Sequence, residues 1–182
     1  MEIWHIPVVF IAGVIAGLIN TLAGGGSLLT LPMLIFLGLP TAVANGTNRI
    51  ALIAQCAFAV AGFKKKGVSN FKLSILLSLP AILGAVLGSL IAVDISDILF
   101  KRILAVVMLL VLGFILWHPR QGSDGSPGSL GRKHLITTMI AFFFIGIYGG
   151  FIQVGVGFII IAALTMITRL NLVETNSHKV FI

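Results

Sequence analysis

The sequence predicts an all-α fold: a polytopic transmembrane helical bundle of two inverted repeats, with short broken or re-entrant helices. Three observations predict it. Composition is the first: of 182 residues, 58% are hydrophobic and 9% charged, with a mean hydropathy of +1.15. An average soluble domain carries roughly 25% charged residues and needs them to cover its surface. Such a chain is not an ordinary soluble enzyme, a nucleic-acid module or a disordered tail. The second observation is a series of apolar runs separated by short polar breaks, and the third is a pair of internal matches described below.

The runs follow in order. Ile6–Leu22 is the first, and with no Lys or Arg ahead of it and no clear cleavage site it reads as a retained membrane segment. Gly24, Gly25, Gly26 and Ser27 interrupt the chain, and Leu28–Leu39 follows, ended by Gly38 and Pro40. A third run goes from Ala42 to Phe63 and closes on Lys64, Lys65 and Lys66; a fourth spans Leu73–Val93. Ser96 or Asp97 can cap the fifth, Ile98–Trp117. The stretch His118–His134 holds Pro119, Pro127, four glycines and three serines, and reads as a flexible linker. Apolar sequence resumes with Leu135–Val156 and Phe158–Ile167, then Val173–Ile182. A crossing needs about 20 apolar residues. The fourth, fifth and sixth runs reach that, whereas the second and seventh read as half-helices or re-entrant pieces.

The two halves match. At an offset of 133, Gly13 aligns with Gly146, Gly17 with Gly150, Asn20 with Gln153 and Gly24 with Gly157. At an offset of 130, the cluster Asn45, Gly46, Thr47, Asn48, Arg49 aligns with Thr175, Asn176, Ser177, His178, Lys179. This predicts a first repeat over 1–117, a polar cytoplasmic linker over 118–134 and an incomplete second repeat over 135–182. Only three residues follow Lys179, and the repeat logic expects a full chain of roughly 250 residues.

The net charge of +7 comes from 12 Lys and Arg against 5 Asp and Glu. Most of it sits in short loops, the positive-inside pattern rather than a nucleic-acid surface. Placing Lys64–Lys66 and Lys72 inside also puts Arg120, Arg132 and Lys133 inside and the N-terminus outside. The halves then have opposite orientations. Inverted repeats with glycine-interrupted short segments at matching positions point to a secondary transporter with its site at the repeat interface.

Two groups of residues are candidates for that site. In the first, Gly24, Gly25, Gly26 and Ser27 let the backbone turn, and the half-helix beyond them presents free N–H groups to an anion; Gly155 and Gly157 are a thinner second copy. Close helix packing is the alternative. In the second, Arg49 and Lys179 are cations within apolar segments, facing an anion or else snorkelling to the headgroups. Asn20, Asn45, Thr47, Asn48, Gln153, Thr175 and Ser177 supply hydrogen bonds to substrate oxygens or between helices. His178 can titrate, or can simply mark an interface. The pairs Gly13/Gly17, Gly84/Gly88 and Gly146/Gly150 are GxxxG packing patterns. The single cysteine, Cys56, forms no intrachain disulfide. A GxGxxG fails because position 29 is Leu, an intramembrane GxSG fails at Leu28, and there is no HExxH, Walker loop or Cys/His cluster. The sequence therefore implies no enzyme, no cofactor and no metal.

The run Ala16, Gly17, Asn20, Gly24–Ser27, then Leu31, Pro32, Gly38, Pro40 and Ala44–Arg49, resembles the sulfite exporter TauE/SafE family of membrane permeases. Gly146–Gly157 and Thr175–Lys179 are similar to that family's second copy, with Phe158 standing where the first copy has Gly25. The resemblance implies two inverted repeats and transport of sulfite, sulfonates or related organosulfur anions across the inner membrane. The implied partners are a small anion and the lipid bilayer, with no nucleic acid; a homo-oligomer is left open. Alternating access would rock one repeat against the other. A passive anion channel and a non-transporting scaffold subunit are the rival readings.

Overall fold

The computed structural model describes residues 5–68, 71–117, 132–168 and 170–182. Eight helices occupy them: α1 (His5–Ala23), α2 (Ser27–Phe36), α3 (Thr41–Lys65), α4 (Phe71–Asp94), α5 (Asp97–Trp117), α6 (Arg132–Phe151), α7 (Val156–Thr168) and α8 (Leu172–Phe181). There is no strand among the described residues, so the all-α expectation holds. Of the linker expected over 118–134, residues 118–131 lie outside the described set and the last three are already helical.

Each helix ends for a local reason. After α2, Gly38 takes a φ of 89°, its N–H donates to the Ile35 carbonyl and Leu39 N–H to that of Leu34. That is a Schellman stop, and it needs a left-handed residue that glycine supplies without strain. The same geometry closes α3, with Gly67 at φ 71°, Gly67 N–H on Lys64 and Val68 N–H on Phe63. α8 starts on a capping box: Asn171 Oδ1 accepts from Glu174 N–H, and the Glu174 carboxylate accepts from Asn171 N–H. Ser96 stands just ahead of α5 and its carbonyl accepts from Phe100 N–H. The carboxylate of Asp97 accepts instead from the Thr41 hydroxyl at the start of α3.

At a rise of 1.5 Å per residue, the 10-residue α2 and the 13-residue α7 fall well short of an apolar layer about 30 Å thick. They are half-helices, as the run lengths suggest. α4 is long and apolar enough to cross by itself. Its outward face is bare hydrocarbon, with Leu83 65% exposed, and so is that of α3, with Phe58 80% exposed. A water-facing surface of that kind would be a large apolar patch; a lipid-facing one is satisfied.

α4 and α6 make the most extensive contact in the fold. A Cβ on Gly84 or Gly88 would lie 2.1 or 2.0 Å from the Phe143 or Ile147 carbonyl oxygen. One on Gly146 or Gly150 would lie 2.2 or 2.1 Å from the Ala81 or Ala85 oxygen. The glycines therefore let two backbones touch, the packing role expected of both GxxxG pairs. Because Ala81 meets Gly146 and Ala85 meets Gly150, the two helices run parallel. The third pair behaves differently: a Cβ on Gly13 meets nothing within 4 Å, and one on Gly17 meets only the Gln55 side chain at 3.9 Å.

Two apolar clusters flank the centre. Leu31, Ala44, Phe100, Leu104, Ile152 and Val154 join α2, α3 and α5 to the end of α6. Leu77, Ala81, Phe142, Ile160 and Leu164 join α4, α6 and α7.

Candidate functional site

The helix breaks are the origin of the site. α1 stops at Ala23 because Gly24 turns to φ 84°, with its N–H still held by the Asn20 carbonyl at 2.9 Å. α6 stops at Phe151, earlier than the apolar run to Val156 suggests. Gln153 there takes φ 59° and Gly155 φ 73°. A left-handed conformation costs a side-chain-bearing residue about 1–2 kcal/mol, so Gln153 is held in place by its surroundings. Two bonds hold the turn: the Tyr148 hydroxyl donates to the Val154 carbonyl at 2.5 Å, and Ser27 Oγ from the other break donates to the Gln153 carbonyl at 3.3 Å.

The two breaks touch. A Cβ on Gly24 would sit 2.4 Å from Gly157 Cα, and one on Gly157 would sit 2.3 Å from Gly24 Cα. Residues aligned by the internal match are therefore backbone-to-backbone neighbours. A Cβ on Gly25 would enter the ring of Phe158 at 2.5 Å, so the bulky residue of the second break lies over the bare one of the first. Gly26 is required elsewhere, since a Cβ there would lie 2.1 Å from the Ala16 carbonyl oxygen. The N-terminal ends of α2 and α7 thus open from adjacent turns, and no side chain caps the first of them.

A cavity of about 710 Å³ lies beside this junction. Of the residues singled out in the sequence, Asn20, Gly24, Ser27, Arg49, Gln153, Gly157 and Lys179 line it. Gly25 and Gly26 sit behind it as packing positions. Gly155 turns to a second, wholly different cavity of about 380 Å³ between α5, α6 and α7. Thr47 is exposed on α3, and Ser177 Oγ donates to the Val68 carbonyl at 2.6 Å, beyond the end of α3. Asn45, Asn48 and Thr175 are buried off the cavity. Asn45 donates to the Phe151 carbonyl at 3.3 Å, and Asn48 Oδ1 accepts from the Thr30 hydroxyl at 2.6 Å. Among the described residues, the Thr175 hydroxyl, Asn45 Oδ1, Asn48 Nδ2 and Gln153 Oε1 are buried with no hydrogen-bond partner.

Both cations are engaged by main-chain oxygens. The Arg49 guanidinium donates to the Gly150 carbonyl, near the end of α6. Lys179 Nζ donates to the Asn20 and Thr21 carbonyls at 2.8 and 2.9 Å, near the end of α1, and to Asn176 Oδ1 at 2.8 Å. Each cation therefore caps the broken helix of the other half, where orphan carbonyls and the negative end of the helix dipole favour it. Glu174, the acid nearest Lys179 in sequence, is engaged in its own capping box. His178 is buried and its Nδ1 pairs with Ser74 Oγ of α4 at 2.7 Å.

Gln55 and Tyr148 complete the structure and were not singled out from the sequence. Gln55 Nε2 donates to the Gly17 carbonyl and to Thr21 Oγ1, and its Oε1 accepts from Asn20 Nδ2 at 3.3 Å. A glutamine inside a long apolar run was the available signal.

A Haemophilus influenzae "Probable membrane transporter protein" is 29% identical over 173 residues, covering 95% of this chain and 67% of its own length. "Probable membrane transporter protein ORF9" of Sinorhizobium is 25% identical over 173 residues, with 95% and 66% covered. "Probable membrane transporter protein YfcA" of Escherichia coli K12 is 26% identical over 174 residues, with 94% and 63% covered. The chain spans about two thirds of the length of the curated relatives it matches. No solved structure matches it. The family described as sulfite exporter TauE/SafE matches residues 9–182, and the chain, a helical membrane protein related to membrane transporters, belongs to that family.

Proposed function

We propose that this chain is the core of a secondary permease that carries a small anion, such as sulfite, a sulfonate or a related organosulfur anion, across the inner membrane. In this reading it crosses several times, with the N-terminus outside and residues 118–134 in the cytoplasm. The two halves act as inverted repeats, with the site where their breaks meet.

One observation carries the reading: the contact of Gly24 with Gly157 brings the starts of α2 and α7 to the wall of one cavity, and Arg49 lines the same cavity. Half-helix N-termini carry a partial positive charge, and a guanidinium offers a planar fork suited to oxyanions. Ser27 Oγ and the Asn20 and Gln153 amides border the same space. A cavity of about 710 Å³ is far larger than the share of one water, about 30 Å³, so a sulfonate with an organic tail fits as well as a hydrated sulfite.

Flux of radiolabelled sulfite and ethanesulfonate into proteoliposomes tests the proposal. Saturable flux that Arg49→Gln lowers at least tenfold supports a carrier with a cation site. Flux that rises linearly with concentration supports a channel. No flux of either anion by correctly folded protein refutes the substrate class.

A further inference from the structure

We propose that the two cations divide the work: Lys179 is a positioning residue that clamps the end of α1 and sets the first break, while Arg49 is the cation that meets the anion. The part given to Arg49 rests on the anion-permease reading; the part given to Lys179 stands on hydrogen-bond geometry alone.

An ammonium has three N–H donors and a guanidinium has five. Lys179 spends all three, on two backbone carbonyls and one side-chain amide at 2.8–2.9 Å, and is only 7% exposed. An anion could reach it only by displacing one of these three bonds. Arg49 is half-buried, and among the described residues it makes one hydrogen bond, to the Gly150 carbonyl. The rest of its fork remains for a ligand.

What Lys179 does for α1 follows from the count of orphan carbonyls. Asn20 and Thr21 are two of the last four residues of α1, whose carbonyls have no continuing helix to accept from. Lys179 satisfies both. It shares the Asn20 carbonyl with Gly24 N–H, the bond that fixes the glycine turn. At the end of α6 the equivalent carbonyls are covered by several partners: Ile152 N–H on Tyr148, Arg49 on Gly150 and Asn45 on Phe151. The second break can therefore lend part of Arg49 to a ligand and keep its shape. At the first break the Thr21 carbonyl is held by a side chain from α8, 158 residues away in sequence.

Hydrogen exchange and cysteine labelling of the full chain in lipid nanodiscs test the two parts separately. Cys56 is the sole cysteine and lines the cavity, so N-ethylmaleimide reports access and ethanesulfonate the protection. Lys179→Met is expected to raise exchange of the amides at positions 21–24 tenfold or more. It should lower flux Vmax while leaving KM and the half-protecting concentration within threefold. Lys179→Arg, which keeps the donors, should restore most of the protection from exchange. Arg49→Gln is expected to raise the half-protecting concentration tenfold or more and leave exchange at 21–24 unchanged. Unchanged exchange in Lys179→Met overturns the clamp. A tenfold loss of anion protection in Lys179→Met overturns the division of labour. A wild-type chain that ethanesulfonate does not protect refutes the anion reading, and the exchange data still decide the role of Lys179.

Discussion

The two helix breaks reach one shape by different means. The first is made of backbone: Gly24 turns the chain and Gly25 and Gly26 let neighbours close in on it. Its support comes from outside, through Lys179 of α8 and Gln55 of α3. The second is braced from within as well as from outside, where Ser27, Arg49 and Asn45 reach it. Tyr148 of the same helix ties down Val154, and Gln153 accepts a left-handed backbone that glycine would take at no cost. Where one break is thin, the other is thick, and Phe158 fills the space over Gly25. The lesson is that two copies of an element in contact need not be alike. They need to be complementary, and each departure from the shared pattern is matched across the junction.

The largest expected effect comes from removing the contact itself. Gly24→Ala adds a Cβ 2.4 Å from the Gly157 backbone at a positive φ. Overpacking costs about 1–3 kcal/mol and the left-handed conformation about 1–2 more. A large fall in thermal unfolding temperature in detergent, with flux abolished, is the outcome to look for; a stable, active variant would break the picture of touching turns. Next comes complementarity. Gly25→Ala alone should destabilise by about 1–3 kcal/mol through its clash with the Phe158 ring, and Phe158→Leu in the same chain should recover at least half of that. If the two losses simply add, the ring and the glycine are not a matched pair. The smallest effect, and of opposite sign, belongs to Gln153→Gly. Relief of the strained φ should stabilise the fold by up to about 1 kcal/mol, offset in part by greater freedom of the unfolded chain. Loss of the lining amide should raise KM a few-fold in the flux assay.

The sequence reveals the helices, both breaks and the alignment of Gly24 with Gly157, because glycine runs and run lengths are local signals. It also marks Arg49 and Lys179 as cations in apolar segments, which must find partners. The identity of those partners is not legible. Arg49 finds Gly150 across 101 residues and Lys179 finds Asn20 across 159, and the acceptors are backbone oxygens that every residue possesses. A polar cluster within one helix is also read as a unit when only one face of it looks inward. Arg49 borders the cavity and Asn48 is buried beside α2, whereas Thr47 points away. The early stop of α6 depends on Gln153, an amide whose side chain gives no warning that its backbone turns left-handed.

The glycine seam between α4 and α6 has a mechanical consequence. At four places along it a glycine sits against a main-chain oxygen, so at those points the two backbones touch with no side chain between them. Sliding one helix past the other by a single residue, about 1.5 Å, would swap glycines for residues that carry a Cβ and wedge the backbones apart. The seam is a weld, and it joins a helix of residues 1–117 to one from beyond the linker. The order of the chain and the boundaries of its rigid pieces therefore do not coincide. In the proposed permease, a stroke that moved each half of the sequence as one solid block would have to tear this weld, and the hinge is expected elsewhere.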